Sequence, residues 1–148
     1  MTDALPREES LGYQVNHLAR LFAQALAVRI APYGVVPGQF APLLALFEQD
    51  GLSQRELCDR VRIEQPTMAN TLQRMERDGL VRRVPDPSDR RRAHVRLTER
   101  ARAIEQELVS AALAVNGAAT GGLTDAEIAT YLDLTARMMR NLEADGGQ

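Results

Sequence analysis

The sequence predicts a mainly α-helical chain of the α+β class, with a helix-turn-helix, one small β-hairpin and long helices at both ends. Three observations predict it. Ser53 to Gly79 reads as two short helices around a tight turn. Leu80 to Leu97 reads as two β-prone runs flanking a Pro/Asp/Ser-rich turn with three arginines near its tip. Both chain ends carry apolar stripes at helical spacing.

The chain has 148 residues, which fits a single domain. An apolar fraction of 45% supplies a core, and with 4% aromatics and no Trp that core should be aliphatic. No apolar run approaches the roughly 18 residues of a membrane span, so no membrane partner is expected. Residues 1–9 are acidic and polar, lack the pattern of a signal peptide and are expected to fray. One Cys makes no internal disulfide and fits a reducing cytoplasm. The net charge is −2, but it is unevenly spread. Ser53 to Arg102 carries +5 and the remainder −7, a basic centre between acidic ends. Every basic residue is Arg, which carries little functional weight.

Taken in order, the first helix should span Ser10 to Ile30, with Leu11, Val15, Leu18, Phe22 and Leu26 on one stripe. Ala31-Pro32-Tyr33-Gly34 breaks it. A second helix from Pro37 to Gln49 packs through Phe40, Leu43, Leu44 and Phe47, and Asp50-Gly51 stops it. Ser53 with Glu56 three residues on is a capping box, and Leu57 and Val61 give the short helix that follows its apolar face. Pro66 has no amide donor, so the next helix begins at Gln65 or Pro66. Met68, Leu72 and Met75 share one face of it, and Gly79 ends it. In the hairpin, Val95 and Leu97 alternate with His94 and Arg96. One long helix should begin after Thr98, through Ala101, Ile104, Leu108 and Val115, and stop at Gly121-Gly122. Thr124 and Glu127 form a second capping box for the last helix, with Ile128, Tyr131, Leu132 and Met138 apolar and residues 145–148 a loose tail.

The face opposite Met68, Leu72 and Met75 carries Pro66, Asn70, Gln73 and Arg77, flanked by Thr67 and Arg74. A bare polar helix face is most often a solvated one. Here a capped helix precedes it and an arginine hairpin follows it, which favours base reading in a DNA major groove. Gln65, Pro66, Thr67, Asn70, Thr71 and Arg74 are the candidates for that role. Ser53, Gln54, Arg55 and Arg77 are candidates for phosphate contacts. Arg90, Arg91 and Arg92 suit the negative potential of the minor groove, with Asp89 placed to hold the Arg91 guanidinium.

These residues resemble a known family. The capped helix, Gln65-Pro66-Thr67, Gly79-Leu80-Val81 and the wing Asp86-Pro87-Ser88-Asp89-Arg90-Arg91 ending in Leu97-Thr98 are similar to the MarR family of winged helix-turn-helix transcriptional regulators. The resemblance covers nearly the whole chain and is densest from Leu52 to Thr98. One departure is Ala101, where the family commonly has Gly, which implies a helical join after the wing without a glycine. The resemblance implies a DNA-binding lobe at about 37–98, dimerisation helices at about 10–35 and 99–145, and a third strand at Leu52. It implies a homodimer on double-stranded DNA, binding a near-palindromic operator, and a repressor released by a small molecule. The effector pocket it implies draws on Tyr13, His17, Arg20, Phe40 and Leu44, a set suited to an aromatic or anionic molecule. For His17 and Arg20 taken singly, an ordinary surface or interface role is the favoured reading.

Catalysis has little support: no nucleophile-base pair, phosphate-binding Gly loop or metal-ligand cluster occurs, so no enzyme, metal or cofactor is expected. Cys58 reads first as a packed small residue and second as a redox-responsive thiol. A winged-helix module that uses its arginines on an acidic protein partner is the alternative from a different class.

Overall fold

The structure is a computed structural model and describes residues 4–89 and 91–146. Its helices are α1 (Leu11–Ile30), α2 (Pro37–Glu48), α3 (Gln54–Val61), α4 (Gln65–Arg77), α5 (Glu99–Ala103), α6 (Glu105–Ala119) and α7 (Asp125–Gly146). Its strands are β1 (Leu52–Ser53), β2 (Val81–Pro85) and β3 (Ala93–Leu97). The chain divides into two compact units, Met1–Leu113 and Ala114–Gln148.

In the first unit the caps behave as their residue types demand. The Ser10 hydroxyl accepts the Tyr13 amide at the start of α1. Ser53 Oγ accepts the Glu56 amide at 3.1 Å, and Glu56 Oε1 accepts the Ser53 amide at 3.1 Å. Hydrogen bonding to Ser53, first through its backbone amide and then through its side chain, holds the Glu56 carboxyl below its ordinary range. Gly79 takes the left-handed conformation at φ +75° after α4. The α3–α4 turn is closed by Arg62, also left-handed at φ 60°.

The sheet is antiparallel with β3 in the centre, between β1 and β2. Its register sets Leu52 opposite Val95, Val81 opposite Leu97 and Arg82 opposite Arg96. Val81, Val95 and Leu97 therefore turn inward onto the core. That core joins Leu43 and Leu46 of α2, Leu57 of α3 and Met68, Leu72 and Met75 of α4, all fully buried. Ala101 is fully buried as well, so the position where the family commonly has Gly is here a packed helical residue.

The helical elements depart from those expected in three places. The helix after Thr98 is broken at Ile104 (φ −106°, ψ 5°), whose amide bonds Ala101 in a tighter turn before the ladder resumes from Leu108 to Ile104. Arg7–Glu9 forms a 3₁₀ turn within the segment expected to fray. Finally, α7 continues through Asp145 and Gly146, which the sequence reading assigned to a loose tail.

The apolar stripe of α1 divides along its length. Ile30 is buried, Phe22 and Leu26 are half-buried, and Leu11, Val15 and Leu18 are exposed. In the second unit the end of α6 turns into α7, which the Thr124–Glu127 capping box starts. No described residue of α7 is buried, and Tyr131, Leu132, Leu134, Met138, Met139 and Leu142 lie exposed. No single described helix is long and apolar enough to cross a membrane.

Leu72 lies at the centre of α4's buried face. Leu72→Ala should therefore cost about 2–5 kcal/mol, read as a lower urea midpoint at constant slope. A loss below about 1 kcal/mol would contradict the packing described.

Candidate nucleic-acid interface

The interface is built from α3, α4 and the β2–β3 hairpin. With Met68, Leu72 and Met75 buried, the helical period leaves Gln65, Pro66, Thr67, Asn70, Gln73, Arg74 and Arg77 exposed. Asn70, Gln73, Arg74 and Arg77 together line one shallow cleft of about 410 Å³. Thr71 is half-buried at the edge of this face. Two amides join the helix starts: Gln54 Nε2 donates to Gln65 Oε1 at 3.0 Å. Arg55 is exposed, whereas Ser53 and Gln54 are half-buried and Ser53 is committed to its cap. Arg77 Nε lies 3.2 Å from Asp78 Oδ1, so that guanidinium is partly neutralised.

In the wing, Arg91 and Arg92 are exposed, and Arg90 lies outside the described residues. The sequence reading expected Asp89 to hold the Arg91 guanidinium. Instead Asp89 Oδ1 accepts the Arg91 backbone amide at 3.0 Å, an Asx turn, because a side chain that short closes most readily on the backbone two residues on. Asp89 thus shapes the loop and leaves the guanidinium to project. Asp86 Oδ1 accepts the Ser88 amide and hydroxyl, and His94 Nε2 lies 3.0 Å from Asp86 Oδ2. The Ser88 contacts, then His94, hold the Asp86 carboxyl well below the usual carboxylate range. His94 Nδ1 lies 2.9 Å from the Gly51 carbonyl, so one ring connects the wing to the turn before β1.

Sequence reasoning missed several supports. Asp50 Oδ1 accepts the amides of Gly51 and Leu97, each at 2.9 Å, and its Oδ2 pairs with Arg102. Arg83 pairs with Glu76 of α4 at 3.6 Å, tying the hairpin to that helix. Arg82, Arg96, Arg100 and Arg102 line a second cleft of about 630 Å³ at the base of the wing, together with Asp50 and Glu99. The run of charge in the sequence was their only signal.

Of the candidate effector residues, Tyr13, His17 and Arg20 are exposed on α1. Leu44 is half-buried, and Phe40 packs into the core. Cys58 is buried in the same core. Burial first, then Asp59 and Glu64, push its thiol up from the ordinary range, the opposite of what a reactive thiolate needs.

A family model described as the MarR family matches residues 33–92. The HTH-type transcriptional regulator TtmR of Methylorubrum extorquens (strain PA1) is 30% identical over 140 residues, covering 95% of this chain and 71% of the relative. The chain belongs to the MarR family of transcriptional regulators. MarR-family proteins are regulators and not enzymes, and DNA binding is implied by that membership. Among solved structures, the regulator PcaV of Streptomyces coelicolor, in complex with its natural ligand, has a TM-score of 0.85 at 26% identity, covering 99% of this chain and 100% of PcaV. A structure of Bordetella bronchiseptica BpsR, described as explaining regulation of its DNA binding by 6-hydroxynicotinic acid, has a TM-score of 0.82 at 26% identity over 93% of this chain and 98% of that one. The mainly helical, winged helix-turn-helix fold expected from the sequence is thus the fold of this MarR-family chain.

The buried, acid-flanked thiol gives a direct test. Native Cys58 should alkylate with iodoacetamide at neutral pH at least about tenfold more slowly than in the urea-unfolded chain. Equal rates would show an open, activated thiol.

Proposed function

We propose that this MarR-family protein is a homodimeric repressor that binds a near-palindromic operator and is released by a small aromatic or anionic effector. The observation that carries the reading is the face of α4: Asn70, Gln73, Arg74 and Arg77 converge on one cleft while the opposite face is locked into the core. In this reading α4 is the recognition helix. Asn70 pairs with adenine, Arg74 with guanine, and Gln65, Pro66, Thr67 and Thr71 contact neighbouring bases and sugars. Ser53, Gln54, Arg55 and Arg77 border the phosphates, and Arg91 and Arg92 enter the minor groove with the loop held by Asp89.

The exposed apolar residues of α1 and α7 support dimerisation, since a lone chain would leave Leu11, Val28, Leu132 and Leu142 in water. Two-fold symmetry would set two recognition helices about one DNA turn apart, ~34 Å. A regulator of this kind works in the cytoplasm, which fits one unpaired, buried Cys. The natural ligand bound by PcaV and the regulation of BpsR DNA binding by 6-hydroxynicotinic acid support an effector, and favour Tyr13, His17 and Arg20 as the effector row. An effector acts only through different affinity for DNA-competent and incompetent forms of the dimer.

The experiment is selection of an operator from random duplexes, then fluorescence anisotropy on that operator and a scrambled duplex across salt. The reading expects a preference of about a thousandfold or more. Arg91→Ala should flatten the salt slope by about one unit, whereas Asn70→Ala should lose affinity mainly on the operator. Equal binding to both duplexes by the unaltered protein would point instead to the protein-binding module.

A further inference from the structure

The last turn of α4 is gripped by two side chains that do not line its Asn70–Arg77 cleft. Arg100 of α5 donates from Nη1 to the Asp78 carbonyl at 2.9 Å and from Nη2 to the Tyr33 carbonyl at 3.0 Å. Asp78 is the C-cap of α4, and Tyr33 ends the 3₁₀ turn between α1 and α2. Gln39 of α2 is the one buried polar residue among those described. Its Oε1 accepts the Val36 amide at 3.2 Å, and its Nε2 donates to Asp78 Oδ2 at 2.8 Å. Both the carbonyl and the carboxylate of Asp78 are therefore tied to residues 33–36. The Gln39 contact, then Arg77, lowers the Asp78 carboxyl, which keeps it in the accepting form. Gly34 makes the arrangement possible. It sits at φ +73°, and a Cβ there would stand 2.6 Å from Arg100 Nη2.

We propose that Arg100 and Gln39 are positioning residues for sequence recognition, which clamp the C-terminal end of the recognition helix to the α1–α2 corner and fix the angle at which Asn70 and Arg74 meet base edges. The inference rests on the reading of α4 as the DNA-reading helix. Bidentate base contacts need a set angle, whereas phosphate contacts tolerate small rotations, so loss of the clamp falls on specificity. A guanidinium spans two carbonyls with a rigid fork, and an ammonium does not. The clamp also places the α1–α2 corner in direct mechanical contact with the reading head.

The test uses Arg100→Lys and Gln39→Met in the full chain, measured on the selected operator and the scrambled duplex across salt, with the melting temperature of each variant. The operator-to-scrambled ratio should fall at least about fivefold in each, the order of one lost base contact. Affinity for the scrambled duplex and its salt slope should stay unchanged. Ratios within about twofold of the unaltered protein overturn the clamp and leave the recognition-helix reading standing. Parallel losses on both duplexes also overturn it, showing phosphate contact if the slope falls and general destabilisation if the melting temperature falls. No operator preference in the unaltered protein overturns the clamp and the recognition-helix reading together.

Discussion

Burial of Met68, Leu72 and Met75 against α2, α3 and the inner face of the sheet is the constraint on which the rest depends. A helix of 13 residues is marginal on its own in water, and tertiary packing of one face makes α4 persist. The same packing decides which side chains remain outside. Each of the three buried positions sits at helical spacing, so Asn70, Gln73, Arg74 and Arg77 have no choice but to share the outer face. Core chemistry and surface chemistry of α4 are thus two aspects of one rotation about the helix axis.

The wing depends on a second constraint, the register of β3. With Leu52 and Val81 placed opposite Val95 and Leu97, the apolar residues turn inward and Arg82 and Arg96 outward. Polar ties then hold the hairpin's base and turn. Asp50 accepts two amides and pairs with Arg102, and His94 lies between Gly51 and Asp86. Asp86 also accepts from Ser88 within the turn, so the ties run from the hairpin's base into the loop that carries Arg91. A site that works by geometry needs such support from behind.

Local features were legible in the sequence, and distant ones were not. Pro66 opening α4, Gly79 closing it and the Ser53–Glu56 box each act within one turn of backbone, so residue type alone placed them. Two β-prone runs around a Pro/Asp/Ser-rich turn placed the wing strands, and alternation placed the inward face of the second. The break at Ile104 was hidden because the apolar period of 99–115 runs through it. The left-handed Arg62 was hidden because Gly or Asn usually fills such a position. Asp89 was assigned to a guanidinium when the nearer backbone amide takes its oxygen. Above all, the ties from Gln39 and Arg100 to Asp78 and Tyr33 cross 22 to 67 residues of chain, and no periodicity encodes a contact at that distance.

The most direct test of the account is a hydroxyl-radical footprint of the protein on its selected operator. Two protected segments should appear, related by two-fold symmetry and centred about one helical turn apart, each with minor-groove protection on its outer flank from the wing. A single unsymmetrical footprint, or protection without the flanking minor-groove signal, would contradict the placement of α4 and the wing argued from this structure.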